Sequence, residues 1–132
     1  MGEVLSTKFS EEGFMVHPAW FSVLKKRIWD KKSGGYRESE QHDHLAALIL
    51  GYLIKASENG KAVKDGVRVT YKELMQLFKA RKSTIRSAIN NLVYRGLVNR
   101  TFHTVELDGI VVSNVMFLKP NIDRIERMIT TE

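Results

Sequence analysis

The apolar positions between residues 42 and 57 follow the spacing of a helix that packs into a protein core. The segment HDHLAALILGYLIKAS repeats large apolar residues at i, i+3 and i+4, at Leu45, Leu48, Ile49, Tyr52 and Leu53. A stripe this apolar is typical of a helix at the centre of a domain. We therefore predict a central core helix in this part of the chain.

The residues before that helix predict a shorter helix and a loop. Pro18 is suited to the first turn of a helix, because proline has no N–H to leave unpaired there. The helix is predicted to turn Trp20, Phe21, Leu24 and Ile28 inward, with Trp29 as a further core residue. The following segment, KKSGGYRESEQ, is polar and contains two glycines, which predicts a loop.

Two short helices are predicted next. Thr70 precedes Glu73 by three residues, which is the spacing of a capping box and predicts a helix from Tyr71. Ser83 is a candidate N-cap for a second helix over residues 84–95, and Gly96 is a candidate left-handed stop. Its predicted inward residues are Ile85, Ala88, Ile89, Leu92 and Val93.

The last third of the chain predicts a hairpin and a final helix. Asp108-Gly109 lies between two predicted strands, LVNRTFHTVEL and IVVSNVMFLK, and is a strong signal for a two-residue turn. In that register Leu107 faces Ile110 and Val105 faces Val112. Asn121 then caps a helix whose apolar side carries Ile122, Ile125, Met128 and Ile129. The predicted class is α+β, mostly α, in one compact domain.

The order of these elements resembles the winged helix-turn-helix family. The residues that carry the resemblance are VTYKELMQLFKARKSTIRSAINNLVYRGLV, with the turn at residues 79–82 and the wing after Gly96. On this basis residues 42–119 are the winged helix, residues 1–41 an N-terminal extension packed on it, and residues 120–132 a C-terminal helix. The segment FMVHPAWFSVL is in addition similar to N-terminal domains of plasmid and phage replication initiators (replisome organisers).

The positive charge is concentrated where the resemblance lies. The whole chain has 21 basic and 15 acidic residues, a net charge of +6. Residues 61–103 contain ten basic and two acidic residues, a net +8, whereas the remaining residues have eleven and thirteen, a net −2. A helix exposed only to water usually mixes the two signs. The segregation therefore favours a polyanionic partner.

The resemblance implies that the second helix of the motif enters the major groove of double-stranded DNA. Stepping about 100° per residue along that helix separates the core stripe from an outward polar set. The candidate base-contacting residues are Ser83, Thr84, Arg86, Ser87, Asn90, Asn91 and Tyr94. The candidate phosphate-contacting residues around them are Thr70, Lys72, Lys79, Arg81, Lys82, Arg95 and Arg100.

Two apolar surfaces predict a two-fold homodimer. They are the hairpin tip and the final helix, with the candidate interface residues Val105, Leu107, Ile110, Val112, Ile122, Ile125, Met128 and Ile129. The alternative is that the final helix packs on Trp20, Phe21 and Leu24 within one chain.

The function indicated is sequence-specific binding of double-stranded DNA, in initiation or control of plasmid or phage replication, with replication proteins as further partners. The alternatives are a transcriptional repressor that uses the same helix, and a winged-helix protein-interaction module that does not bind DNA. No catalytic motif, metal site or cofactor site is recognised, and His42 and His44 do not share a helix face. The longest apolar run is too short to span a bilayer, no secretory signal is visible, and the absence of cysteines is compatible with the cytoplasm.

Overall fold

The computed structural model of the protein describes residues 16–58, 60 and 62–130, except for the side chains at 62, 63, 129 and 130. Within this part of the chain five helices and six strands follow one another. They are α1 (Pro18–Val23), β1 (Lys25–Asp30), β2 (Gly35–His42), α2 (His44–Glu58), β3 (Ala62–Val63), β4 (Gly66–Val69), α3 (Tyr71–Phe78), α4 (Lys82–Tyr94), β5 (Val98–Leu107), β6 (Ile110–Pro120) and α5 (Ile122–Thr130).

The α+β class is confirmed, but the described part of the chain is not mostly helical. Helices take up 45% and strands 36% of the described residues. The strands form two antiparallel sheets, a two-stranded sheet β1-β2 and a four-stranded sheet in the order β3-β4-β6-β5. The difference from the expectation arises mainly from the first sheet, which lies in a region predicted to be a helix and a loop.

Helix α2 is the central core helix, as predicted. Ile49, Leu50 and Leu53 have no exposed surface, and two alanines of the same helix are also fully buried. They belong to a single cluster that includes Leu74 of α3 and Leu118 of β6. None of the helices in the described part of the chain is long and apolar enough to cross a membrane.

Helix α3 begins with the predicted capping box. The backbone N–H of Glu73 donates to Thr70 Oγ1 at 3.0 Å, and the backbone N–H of Thr70 donates to Glu73 Oε1 at 2.9 Å. The helix ends at Phe78, and the next residue, Lys79, has a left-handed backbone with φ 55°. This conformation turns the chain sharply, and α4 starts three residues later.

Helix α4 starts two residues before the predicted position. Its N-cap is Arg81, whose backbone is extended and whose side chain makes no capping hydrogen bond, so Ser83 lies inside the first turn. The predicted stop at Gly96 is confirmed. Gly96 has φ +75°, and the N–H of Leu97 donates to the carbonyl of Leu92 at 3.0 Å, as in a Schellman motif.

The hairpin β5–β6 has the predicted turn and register. Asp108 and Gly109 both have positive φ, 53° and 81°, which fits a type I′ turn. Leu107 pairs with Ile110, and Val105 with Val112. The final helix is capped as predicted, since the N–H of Arg124 donates to Asn121 Oδ1 at 3.2 Å.

The prediction for residues 24–42 was wrong. Helix α1 ends at Val23 because Leu24 has an extended backbone, and the chain continues as the antiparallel hairpin β1–β2 with a turn before Gly35. Gly34 has φ +73°, a conformation that glycine adopts without cost. Trp20 is buried as predicted, but Trp29 is 55% exposed on this hairpin and Ile28 is only partly buried.

Candidate nucleic-acid interface

The exposed face of α4 is polar and carries no acidic residue. Ile85, Ile89 and Leu92 have no exposed surface, which fixes the side of the helix that faces the core. Six of the seven candidate base-contacting residues are exposed on the other sides: Ser83, Thr84, Arg86, Ser87, Asn90 and Tyr94. The periodicity of the sequence therefore located the outward face correctly, with one exception.

The exception is Asn91, which is 3% exposed and cannot reach a groove. Its Nδ2 donates to the backbone carbonyl of Lys25 and to Asp43 Oδ2, both at 2.9 Å. The other oxygen of Asp43 accepts the N–H of Ala46 at 3.0 Å, at the start of α2. Asn91 thus joins α4 to β1 and α2, and the prediction that it contacts bases is corrected.

Arg95 is occupied within the protein and is not a free phosphate-binding cation. Its Nη2 donates to Glu38 Oε1 at 2.7 Å and to the carbonyl of Lys25 at 2.8 Å, and its Nε donates to Asn91 Oδ1 at 2.8 Å. The hydrogen bond from Arg95 lowers the pKa of the Glu38 carboxyl, while partial desolvation opposes the change. The side chain of Arg95 ties α4 to both strands of the first hairpin.

Four of the predicted phosphate-contacting cations are exposed and have no ion pair with any described residue: Lys72, Lys79, Arg81 and Lys82. Lys79, Arg81 and Lys82 lie at the turn between α3 and α4, and Lys72 lies in the first turn of α3. Lys82 Nζ lies 5.3 Å from the centre of the Tyr71 ring, and Arg86 Cζ lies 5.7 Å from it. Both cations therefore lie next to the same aromatic ring near the start of α4.

The remaining two candidates have internal partners. The Thr70 hydroxyl accepts from the backbone of Glu73 and lies 3.1 Å from its carboxylate, so it serves the capping box. Arg100 is half-buried, and its Nη1 donates to Asn90 Oδ1 at 2.7 Å. Arg100 therefore orients a candidate base-contacting side chain from the second hairpin.

Asn90 and Asn91 show that α4 lies between the two hairpins. Consecutive residues of a helix point about 100° apart, so these two side chains leave α4 on different flanks. Asn91 binds β1, and Asn90 binds Arg100 of β5. The exposed face of α4 is consequently flanked by β1–β2 on one side and β5–β6 on the other.

The first hairpin contributes surface residues that the sequence interpretation missed. Lys26 and Arg27 of β1 line a cleft of about 410 Å³ together with Ser83, Thr84 and Ser87 of α4. Arg27 Cζ lies 3.4 Å from the centre of the Tyr94 ring. One signal in the sequence could have revealed this hairpin: the Gly34-Gly35 pair, which is typical of a turn between two strands.

The candidate dimer residues differ in how far they are buried within the chain. Ile125 is 3% exposed and belongs to the core cluster, and Met128 packs against that cluster, so the final helix buries these residues within its own chain. The side chain of Ile129 lies outside the described part. Ile110 and Ile122 are 66% and 46% exposed. Val105, Leu107 and Val112 are partly buried. A dimer through the hairpin tip stays a prediction, whereas Ile125 is unavailable to a second copy.

The His42 and His44 rings stack at 6.3 Å between centres, with no acidic partner that would complete a metal site in the described residues.

No family model matches the chain, and no curated protein or solved structure matches it either. The candidate interface is therefore defined by geometry alone. It consists of the exposed face of α4, the unpaired cations at the turn before it, and the two hairpins beside it.

Proposed function

We propose that the protein is a sequence-specific double-stranded DNA-binding domain of the winged-helix type. The observation that carries the proposal is the exposed face of α4, which has no acidic residue and begins beside Lys79, Arg81 and Lys82. None of these cations is paired with a described acidic residue. Cations without acidic neighbours retain their full attraction for a polyanion.

The order and pairing of the elements support the winged-helix type. Helix α2, strand β4, helices α3 and α4 and the hairpin β5–β6 follow in the order of a winged helix-turn-helix, and β4 pairs with β6. In such a domain α4 enters the major groove and the hairpin lies along the adjacent backbone.

The exposed side chains of α4 have the chemistry that base edges require. Arginine donates two hydrogen bonds to guanine, and asparagine pairs with adenine by donating one bond and accepting one. Asn90 retains this capacity next to Arg100, because its carbonyl oxygen has a second lone pair and its amide nitrogen has no described partner. Ser83, Thr84 and Ser87 supply hydroxyls that bind either bases or phosphates.

For the biological process we propose initiation or control of plasmid or phage DNA replication, which depends on the resemblance of the N-terminal segment to replication initiators. A transcriptional repressor would present the same surface to DNA. The two processes differ in the location of the binding sites, at a replication origin or at a promoter.

The test is binding to duplexes selected from a random pool, followed by fluorescence anisotropy at several salt concentrations. Arg81→Gln and Lys82→Gln should each weaken binding to every duplex and reduce the log–log salt slope by about one unit, because each removes one phosphate contact. Arg124→Gln is the matched control, since Arg124 is an exposed cation of α5 that lies beside Gly96, beyond the other end of α4.

The control should keep the salt slope of the wild type. Failure of the wild-type protein to form a complex with any duplex at low salt would refute DNA binding and favour the protein-interaction module. An unchanged slope in both turn variants would remove the turn from the interface.

A further inference from the structure

One face of the β1–β2 hairpin carries exposed aromatic and cationic side chains. Trp29 pairs with Tyr36 and Arg27 pairs with Glu38 across the two strands. Because alternate residues of a strand share a face, Arg27, Trp29, Tyr36 and Glu38 lie on one side of the ribbon. Trp29 and Tyr36 are 55% and 62% exposed, and their rings meet edge to face at 5.4 Å.

This face is continuous with the exposed face of α4. Arg27 and Tyr36 line a small pocket together with Ser87 and Asn90. The guanidinium of Arg27 is 3.4 Å from the centre of the Tyr94 ring and 5.9 Å from that of the Tyr36 ring. The cation therefore lies between an aromatic ring of α4 and one of the hairpin, and it connects the two surfaces.

The charge of the hairpin favours a polyanion. Residues 25–42 contain six basic and three acidic residues. Two of those acids are already in ion pairs, Asp30 with Arg37 at 3.7 Å and Glu38 with Arg95 at 2.7 Å. The lysines of the hairpin have no ion pair with any described residue. Exposed aromatic rings next to unpaired cations are suited to the sugars and phosphates of nucleic acid.

The position of the hairpin specifies how it would meet a duplex. A helix in the major groove lies between two phosphate backbones, about 12 Å apart across the groove. Since β5–β6 occupies one flank of α4 and β1–β2 the other, each hairpin faces a different strand of the duplex.

We infer that β1–β2 is a second DNA-contacting wing, which grips the phosphate backbone opposite the one that faces β5–β6. Arg27 contacts phosphate, and the rings of Trp29 and Tyr36 pack on the adjacent deoxyribose groups. This inference depends on the proposed DNA binding, and it adds which strand of the duplex the hairpin contacts.

Tryptophan fluorescence offers a direct test, because the chain has two tryptophans. Trp20 is 5% exposed and Trp29 is 55% exposed, so only Trp29 can lose solvent contact when DNA binds. A duplex selected by the wild-type protein should change the emission and protect it from acrylamide quenching. Trp29→Phe should abolish that change while the emission of Trp20 persists.

Affinity gives the second readout. Trp29→Ala and Arg27→Gln should each bind the selected duplex about five- to tenfold more weakly, the loss expected for one stacking or charge-assisted contact. Arg37→Gln is the matched control, because Arg37 pairs with Ile28 on the opposite face of the same ribbon. It should change the affinity by about twofold or less, the effect of a distant charge. Thermal melts establish that each variant is folded.

The outcomes separate this inference from the proposed function. Binding that depends on Arg81 and Lys82 but not on Arg27 or Trp29, with unchanged Trp29 emission, overturns the second wing and leaves DNA binding intact. Equal losses in Arg37→Gln and Arg27→Gln also overturn it, because they reduce the hairpin to a source of general charge. Absence of any complex with duplex DNA overturns both.

Discussion

The two hairpins beside α4 are the same kind of element but are attached to the protein in different ways. The β5–β6 hairpin is part of a four-stranded sheet, and Met116, Phe117 and Leu118 of β6 are buried. The β1–β2 hairpin forms a sheet of its own. It is joined to α4 chiefly by polar side chains, through the hydrogen bonds of Asn91 and Arg95.

Because of this difference, the contacts that stabilise the domain are not the same as those that orient the first hairpin against α4. Apolar burial has no preferred direction and is the dominant favourable contribution to folding. Hydrogen bonds are directional, so they fix an orientation while adding less to the net stability. We therefore expect changes in β6 to alter the stability of the whole domain, and changes around Asn91 to release mainly the first hairpin.

The largest effect is expected in the core of the second hairpin. Leu118 has no exposed surface, so Leu118→Ala should lower the free energy of unfolding by about 2–5 kcal/mol. Ile28 of the first hairpin is partly exposed, and Ile28→Ala should cost less than about 1 kcal/mol. Urea denaturation measures both. Similar losses would contradict the contrast between the hairpins.

A smaller loss of stability, confined mainly to the first hairpin, is expected at the polar junction, by which we mean the hydrogen bonds between Asn91 and the residues around β1. Asn91→Ala removes the donor to Asp43 and to the carbonyl of Lys25, which should cost about 2 kcal/mol. Amide hydrogen exchange should then accelerate in residues 25–42 more than in residues 98–120. The neighbouring variant Asn90→Ala is the control, because Asn90 is exposed and should change stability by less than about 0.5 kcal/mol. Uniform acceleration across both hairpins would show that the junction supports the whole fold.

The smallest effect on stability is expected for the ion pair of Glu38 when the pH is lowered. Glu38 has a lowered pKa in the folded protein, so its ion pair with Arg95 contributes stability above the ordinary carboxyl pKa and loses it as the pH falls through the lowered value. Glu38→Gln should therefore be slightly less stable than the wild type near neutral pH and equally stable in acid. Thermal melts at several pH values test this, and a difference that persists in acid would assign the loss to packing.

Local signals in the sequence were sufficient for most of the second half of the chain. The capping box at Thr70 and Glu73, the stop at Gly96 and the turn at Asp108-Gly109 all depend on neighbouring residues. Short-range hydrogen bonds and φ preferences act in the same way in any fold. The outward face of α4 could likewise be located from the sequence, because each residue of a helix is rotated by about 100° from the one before it.

Long-range contacts decided the parts that were wrong. Asn91 is polar and looks outward by type, yet it is buried because β1 and Asp43 supply partners that lie 66 and 48 residues away. The helical interpretation of residues 24–30 assumed that Trp29 is a core residue, because tryptophan is usually at least partly buried. Trp29 is instead an exposed residue of a strand. Neither outcome can be obtained from spacing alone.

The hydrogen bonds at the carbonyl of Lys25 also have a consequence for synthesis on the ribosome. They connect Lys25 to Asn91 and Arg95, which lie 66 and 70 residues further along the chain. When residues 25–42 leave the ribosome, the helix that holds them has not yet been translated. An isolated two-stranded hairpin is at best marginally stable in water. The nascent hairpin therefore becomes stable only when α4 is present. The surface between the two hairpins is completed only after translation has passed Arg95.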